Sequence, residues 1–293
     1  MREFVSEISR FLKSHGFECS ETFSHGFDLI VTTVGSCSRH IIPIGVSAGN
    51  AAEAEAQSVR ALECIRAIKS DTGEYPLIIT EDLWYRKAAM TQTRLLAHLE
   101  IFHPVYARNC EVRRIEKGVA KEFLEACHSY GFSSCRYCYG LFIKRHTGHN
   151  CLNQNLLAAV TPGTLVAVAT FSNARRWKKG EKEIRSYEWT RYASLPSLRI
   201  SGGMGRALKA FIKDIEPDDI MSYADLEWSE GDVYEQLGFI CEGMKEPVYF
   251  TIDRNSWTRE AVRSRGDEAF DVEHINFRNF GSAKYRMKLT EYE

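Results

Sequence analysis

The chain has 293 residues, 44% of them hydrophobic and 26% charged, which excludes wholesale disorder and suits one large core or two ordinary ones. Its 38 basic side chains nearly cancel 39 acidic ones, and no part is a polycation: residues 1–105 carry 10 and 13, residues 106–255 carry 21 and 19, and the remainder 7 and 7. Nucleic-acid binding driven by counterion release is therefore not favoured, and no apolar run nears the ~20 residues of a membrane helix.

Residues 3–14 set Phe4, Ile8, Phe11 and Leu12 at helical spacing, and Gly16 stops the helix. Acids within MREFVSEISRFLKSHGF argue against a signal peptide, and nine scattered cysteines read as reduced thiols, so a cytoplasmic placement is expected. Strands are predicted at Asp28–Thr33 and Ile41–Val46, a helix at Ala51–Lys69, a short buried strand at Pro76–Thr80 and a helix at 86–99. That order makes a small α/β domain, residues 1–105.

From Glu111 the pattern changes. Strand Glu111–Ile115 precedes helix 118–130 and strands at Tyr137–Lys144, Thr164–Phe171 and Ser186–Leu195, with a polar link at 173–183. A Gly-rich turn at 202–205 opens a helix running to about Asp214. Strand Asp219–Ala224, a short helix 231–237 and a final strand pair, Ile240–Glu242 with Val248–Ile252, end a second domain at 106–255. Residues 256–293 form a C-terminal extension with one strand candidate, Lys284–Leu289.

The most informative stretch is Ser194–Phe239. Gly202-Gly203-Met204-Gly205 lies between a strand and a helix, where absent Cβ atoms let a bulky anion reach the backbone. The helix start offers N–H groups and the positive end of the macrodipole, which suits a pyrophosphate. The alternative is a plain tight turn. After the next strand comes Tyr234-Glu235-Gln236-Leu237-Gly238-Phe239.

Together these features resemble the acetyl-coenzyme A core of the GCN5-related N-acetyltransferase (GNAT) superfamily: strand, glycine-rich loop, helix, strand, and a short helix ending in Tyr-x-x-x-Gly-Phe. The resemblance implies an α/β (α+β) fold with a GNAT-like mixed central sheet flanked by helices, here preceded by the small α/β domain. It implies acetyl-CoA or another acyl-CoA as co-substrate, held by Ser201, Gly202, Gly203, Met204, Gly205 and Arg206, with no metal. In the family's register the position usually held by Gln or Arg is Ile200, with Arg199 one residue early.

A longer resemblance runs from Val105 to Phe250. Tyr106-Ala107-Arg108-Asn109-Cys110, His128 with Gly131, Tyr139-Gly140-Leu141, Glu188 with Arg191, Gly202-Gly203, Ser222–Asp225 and Trp228-Ser229-x-Gly231 are similar to the C-terminal module of endonuclease-like phage proteins. Such proteins carry an N-terminal nuclease, which needs an Asp on one strand and an acid-x-Lys on the next to hold Mg²⁺. Here Asp28 opens the first strand, but its neighbour reads Ile44-Gly45-Val46. Cleavage chemistry is not expected, and residues 1–105 are read as a degenerate nuclease-like scaffold or an unrelated α/β domain.

Attack of an amine on a thioester needs a base for the ammonium, an acid for the departing thiolate and a donor for the oxyanion. Tyr234 stands where the superfamily often places that acid; the alternative is a packed aromatic. Glu188 lies on the strand that delivers the base in several members; the alternative is an ion pair with Arg191 or Arg185. His128, Arg191, Asp225 and Trp228 are candidate acceptor-site residues, although His128 also suits a helix cap and Trp228 a core plug. Cys135-x-x-Cys138, with Cys127, His128 and Cys151 near in sequence, reads as buried thiols, because positions i and i+3 of a strand face opposite sides. The Arg175–Lys179 run reads as a solvated loop.

The sequence thus points to an acetyl-CoA-dependent N-acetyltransferase-like protein acting on a small-molecule or peptide amine. A non-catalytic binding module derived from a phage-type mobile endonuclease, with nucleic acid as a less favoured partner, is the alternative.

Overall fold

The structure is a computed structural model that describes residues 2–145, 161–262 and 274–292. These form two compact units. The first comprises residues 1–100, 224–231 and 244–283, and the second residues 101–223, 232–243 and 284–293. The chain therefore leaves the second unit and returns to it, so 256–293 is divided between the units, where the sequence suggested one extension.

In the first unit, helix α1 (Arg2–Ser14) buries Phe4, Val5, Ile8 and Leu12 along one face. Strands β1 (Cys19–Ser24), β2 (Phe27–Val34) and β3 (Cys37–Ile44) make an antiparallel meander, and β4 (Leu77–Thr80) joins parallel to β3. The crossover is helix α2 (Ala51–Thr72), capped by the Asn50 side chain, which accepts from the Glu53 amide at 2.9 Å. Helices α3 (Glu81–Arg86) and α4 (Ala88–His98) replace the single helix expected at 86–99.

Period-two alternation buries both faces of this sheet. Ile30, Ile41, Leu77 and Ile79 pack with α1 on one side. Leu29, Ile42, Ile44 and Ile78 meet Phe250, Ile252, Ile275 and Phe277 on the other. The latter four come from the late strands β14 (Tyr249–Ile252) and β16 (Ile275–Arg278), which with β15 (Arg259–Ala261) form a three-stranded sheet. Buried Arg259 bridges buried Asp82 and Glu227 there, with its guanidinium 4.2 Å from the Phe277 ring centroid.

The second unit is built on an eight-stranded mixed sheet. Its spatial order is β13 (Ile240–Lys245), β17 (Ser282–Lys288), β12 (Asp219–Asp225), β10 (Lys182–Ser194), β8 (Leu165–Phe171), β7 (Tyr137–Ile143) and β6 (Cys110–Arg114). Strand β9 (Arg175–Lys179) pairs off this path with the first half of β10. A two-stranded parallel ribbon, β5 (His103–Tyr106) with β11 (Leu198–Ser201), stands apart. Helix α5 (Lys117–Cys127) covers one sheet face through Ala120 and Leu124 against Cys138, Val168 and Ala193. Helix α6 (Gly203–Ile215) covers the other, where Phe211 stacks on Phe171 at 3.8 Å between centroids. Helix α7 (Asp232–Gln236) precedes β13.

The Arg175–Lys179 run is thus one strand of a hairpin. The expected pairing of 240–242 with 248–252 is absent: β13 belongs to the large sheet and β14 to the three-stranded one.

Candidate functional site

Strands β10 and β12 are parallel neighbours, but their register holds only for Ser186–Glu188 opposite Asp219–Met221. Beyond that, β10 continues to Ser194 paired with β8 on its other side, with an irregularity between Trp189 and Arg191. The β10–β12 ladder ends at Glu188 and Met221 while both strands run on, so beyond that point the two strands no longer pair with each other. Glu188 sits at this point. Its side chain is half-buried, and its carboxylate makes no hydrogen bond or ion pair among the described residues. The expected pairing with Arg185 or Arg191 is not formed. Arg185 binds the Glu216 carbonyl and Asp218, whereas Arg191 donates from Nε to the Gly131 carbonyl at 3.2 Å and from Nη1 to the Thr190 carbonyl at 2.8 Å.

Across the opening, Ser222 Oγ lies 3.0 Å from the Trp189 carbonyl and 2.9 Å from the Tyr234 hydroxyl. A carbonyl only accepts and a serine has one proton. Ser222 therefore donates to Trp189, and Tyr234 donates to Ser222. The Tyr234 ring stacks on Tyr285 at 5.2 Å and meets Trp189 and Phe239 edge-on. Burial raises the Tyr234 pKa above that of a free tyrosine, so its proton stays in place at neutral pH.

The Gly-rich segment enters α6 as its spacing suggests. Gly202 is the N-cap, at φ +78°, a left-handed conformation that favours glycine. A Cβ there would touch only Ala107, at 3.7 Å. Gly203 is glycine for a different reason: a Cβ would collide with the Tyr192 hydroxyl and lie 2.9 Å from Ile200 Cγ2. The first turn, Gly203, Met204 and Gly205, has N–H groups without intrahelical acceptors, and the first helical bond runs from Arg206 N–H to the Gly202 carbonyl. Ser201, Gly202 and Arg206 are exposed, and so is Arg199, over the Phe102 ring at 5.0 Å. Arg108, next in the chain to Ala107, lies over Tyr106 at 4.7 Å. The helix start is thus exposed at Ser201, Gly202 and Arg206.

The acceptor-side candidates divide. His128 caps α5, and its Nδ1 accepts the Tyr130 amide at 3.1 Å, leaving Nε2 as the second ring nitrogen. Asp225 and Trp228 fall in the first unit. Asp225 receives the Glu227 amide at 3.0 Å in a tight turn, and the half-buried Trp228 ring takes the Arg94 guanidinium at 3.9 Å. Asp28, at the start of β2, pairs through its backbone with Phe23; the Gly45 carbonyl and Val46 amide are bound by Gln57 and Glu81. Among the described residues no group of three or more His, Cys, Asp or Glu side chains could hold a metal ion. No helix among them is long and apolar enough to cross a membrane.

Cys135 and Cys138 depart from expectation. Cys135 precedes β7, so strand alternation does not separate the pair, and the two Sγ atoms lie 3.4 Å apart. Cys151 lies outside the described residues. Sequence reasoning missed Ser222 as the partner of Tyr234; both flank the segment Tyr223–Val233, and nothing in their spacing marks the bond.

No family model matches the chain, and no curated protein matches it. Solved structures that match part of the chain include the NatC complex bound to Gag peptide and CoA (12% identity, 62% of this chain and 99% of that one, TM-score 0.34). A GNAT-family acetyltransferase from Bacillus anthracis gives 12% identity, 61% and 95% coverage, and TM-score 0.32. A ribosomal-protein-S5-alanine acetyltransferase from Vibrio fischeri gives 13%, 72% and 91%, and 0.32.

Proposed function

We propose that the second unit is an acyl-CoA-dependent N-acyltransferase, with acetyl-CoA as donor and a small-molecule or peptide amine as acceptor. The observation that carries this reading is the early end of the β10–β12 ladder at Glu188, in a unit whose next helix opens on exposed Gly202. The Gly202–Arg206 backbone and the Arg206 side chain suit the pyrophosphate of the donor. The divergence of β10 from β12 gives an extended donor arm room to lie between the strands.

In this reading the acceptor amine attacks the thioester carbonyl directly. Glu188, unpaired and half-buried, takes the ammonium proton. Backbone N–H groups where the strands diverge stabilise the tetrahedral oxyanion. As the C–S bond breaks, the Tyr234 hydroxyl turns its proton from Ser222 to the thiolate, and Ser222 turns its own proton from the Trp189 carbonyl to the resulting phenolate. Arg191, fixed to the Gly131 carbonyl, lies on the acceptor side.

Calorimetric titration of the full chain with acetyl-CoA tests the first step. Saturable one-to-one binding that Arg206→Glu weakens is expected. Absence of heat together with absence of a thermal shift would favour the second reading, a non-catalytic module of the phage endonuclease-like kind.

A further inference from the structure

No step above uses the Cys135–Cys138 pair. Both residues are free thiols. Cys138 is buried on β7 opposite Thr170, whereas Cys135 is half-buried in the segment that joins α5 to β7. Their sulfurs are in contact at 3.4 Å, and a disulfide needs about 2.0 Å. Cys135 itself precedes β7, while the next residue, Arg136, is tied by its amide to the Phe171 carbonyl at 2.8 Å, so the approach left to close the gap is that of the Cys135 side chain. Cys127 packs against the same cluster. Burial, then the contact with Cys135, pushes the Cys138 thiol up to about 12, so the more exposed Cys135 is the sulfur that reacts first.

We propose that Cys135 and Cys138 form a reversible oxidation site, closed to an intramolecular disulfide by hydrogen peroxide and reopened by small thiols. The Cys135 thiolate attacks one peroxide oxygen; the O–O bond breaks, giving a sulfenic acid and hydroxide. That hydroxide takes the Cys138 proton, and the Cys138 sulfur attacks the Cys135 sulfur, expelling a second hydroxide as the S–S bond forms. Two thiols are oxidised and one peroxide is reduced. The bond anchors the 131–136 segment to β7 at one end. Arg191 already holds the other end through the Gly131 carbonyl, so oxidation adds a second tie to the segment that Arg191 binds.

The folded full chain is treated briefly with peroxide, quenched with N-ethylmaleimide and cut with trypsin. Cleavage after Arg136 separates the two cysteines into peptides 122–136 and 137–144. The expected product is these peptides joined, with Cys127 blocked by N-ethylmaleimide, two hydrogens lighter than the sum of the two peptides so blocked, and separated by dithiothreitol. Fragment ions across 127–135 must place the link on Cys135, and a Cys127→Ser chain must still form it. Recovery of both peptides unlinked, a link carried by Cys127, or linkage only in denaturant would each overturn the proposal.

Discussion

Replacing Gly203 by alanine tests the packing that sets the start of α6. The added Cβ falls within the van der Waals envelope of the Tyr192 hydroxyl oxygen and 2.9 Å from Ile200 Cγ2, both in a buried setting. The Tyr192 hydroxyl is at the end of a rigid ring and cannot swing aside as a flexible chain would. Overpacking of this kind costs about 1–3 kcal/mol. For a unit of this size that corresponds to a fall in melting temperature of roughly 2–12 °C. Tyr192→Phe deletes the colliding oxygen, so the double variant should recover most of the loss, a coupling of about 1 kcal/mol or more. Scanning calorimetry of the four proteins measures it. A Gly203→Ala protein as stable as the parent, or an equal loss in the Tyr192→Phe background, would refute the assigned contact. The same geometry makes Gly203 a poor probe of donor binding, because its substitution disturbs the fold first; exposed Arg206 is the cleaner one.

Acid should loosen the second unit. The Asp214 carboxylate is held below its ordinary 3.8 by the Tyr139 hydroxyl and Arg114. Burial would raise Asp218 and Glu242, but Arg185 and Thr290 lower the first and Lys284 and Arg286 the second. A depressed folded pKa contributes stability that is complete above the unfolded value and lost as pH falls through the folded one, so unfolding should set in below about pH 4, as read by far-ultraviolet dichroism. Arg259→Ala strips the counter-charge from buried Asp82 and Glu227 and should cost about 3–5 kcal/mol in urea titration. If turnover is found, Tyr234→Phe should lower kcat ~10²–10⁴-fold with donor affinity nearly unchanged; full activity would return Tyr234 to a packing role. No Mg²⁺-dependent cleavage of duplex DNA is expected, since Ile44-Gly45-Val46 offers neither acid nor lysine; cutting that an Asp28→Ala chain loses would contradict this.

Much of the fold was legible where burial imposed a period. Helix α1, β2, β4, β7, β8 and α6 all carry apolar residues on the face that packs, and their spans follow the expected ranges to within a few residues. Elements without such a signal were missed. Strand β1 is polar and mostly exposed; β9 is a basic strand at the sheet's margin; β11 has only four residues. Their pairing comes from backbone hydrogen bonds that no side-chain pattern reports. Strand β13 is exposed along all six residues, so its place beside β17, almost forty residues later, was equally hidden.

The site shows the same division more sharply. A glycine-rich start to α6 is a local property, written in Gly202 and its neighbours, and it is where the sequence put it. The gap between β10 and β12 is not local. It exists because β10 trades its partner on one side for β8 on the other just after Glu188, and the irregularity at Trp189–Arg191 re-aims the side chains that follow. That change frees the Glu188 carboxylate from Arg185 and Arg191, which find carbonyl and Asp218 partners elsewhere. A glutamate three residues from each of two arginines reads as an ion pair in one dimension. In three dimensions the two arginines are engaged elsewhere and Glu188, half-buried, stands where the β10–β12 ladder ends.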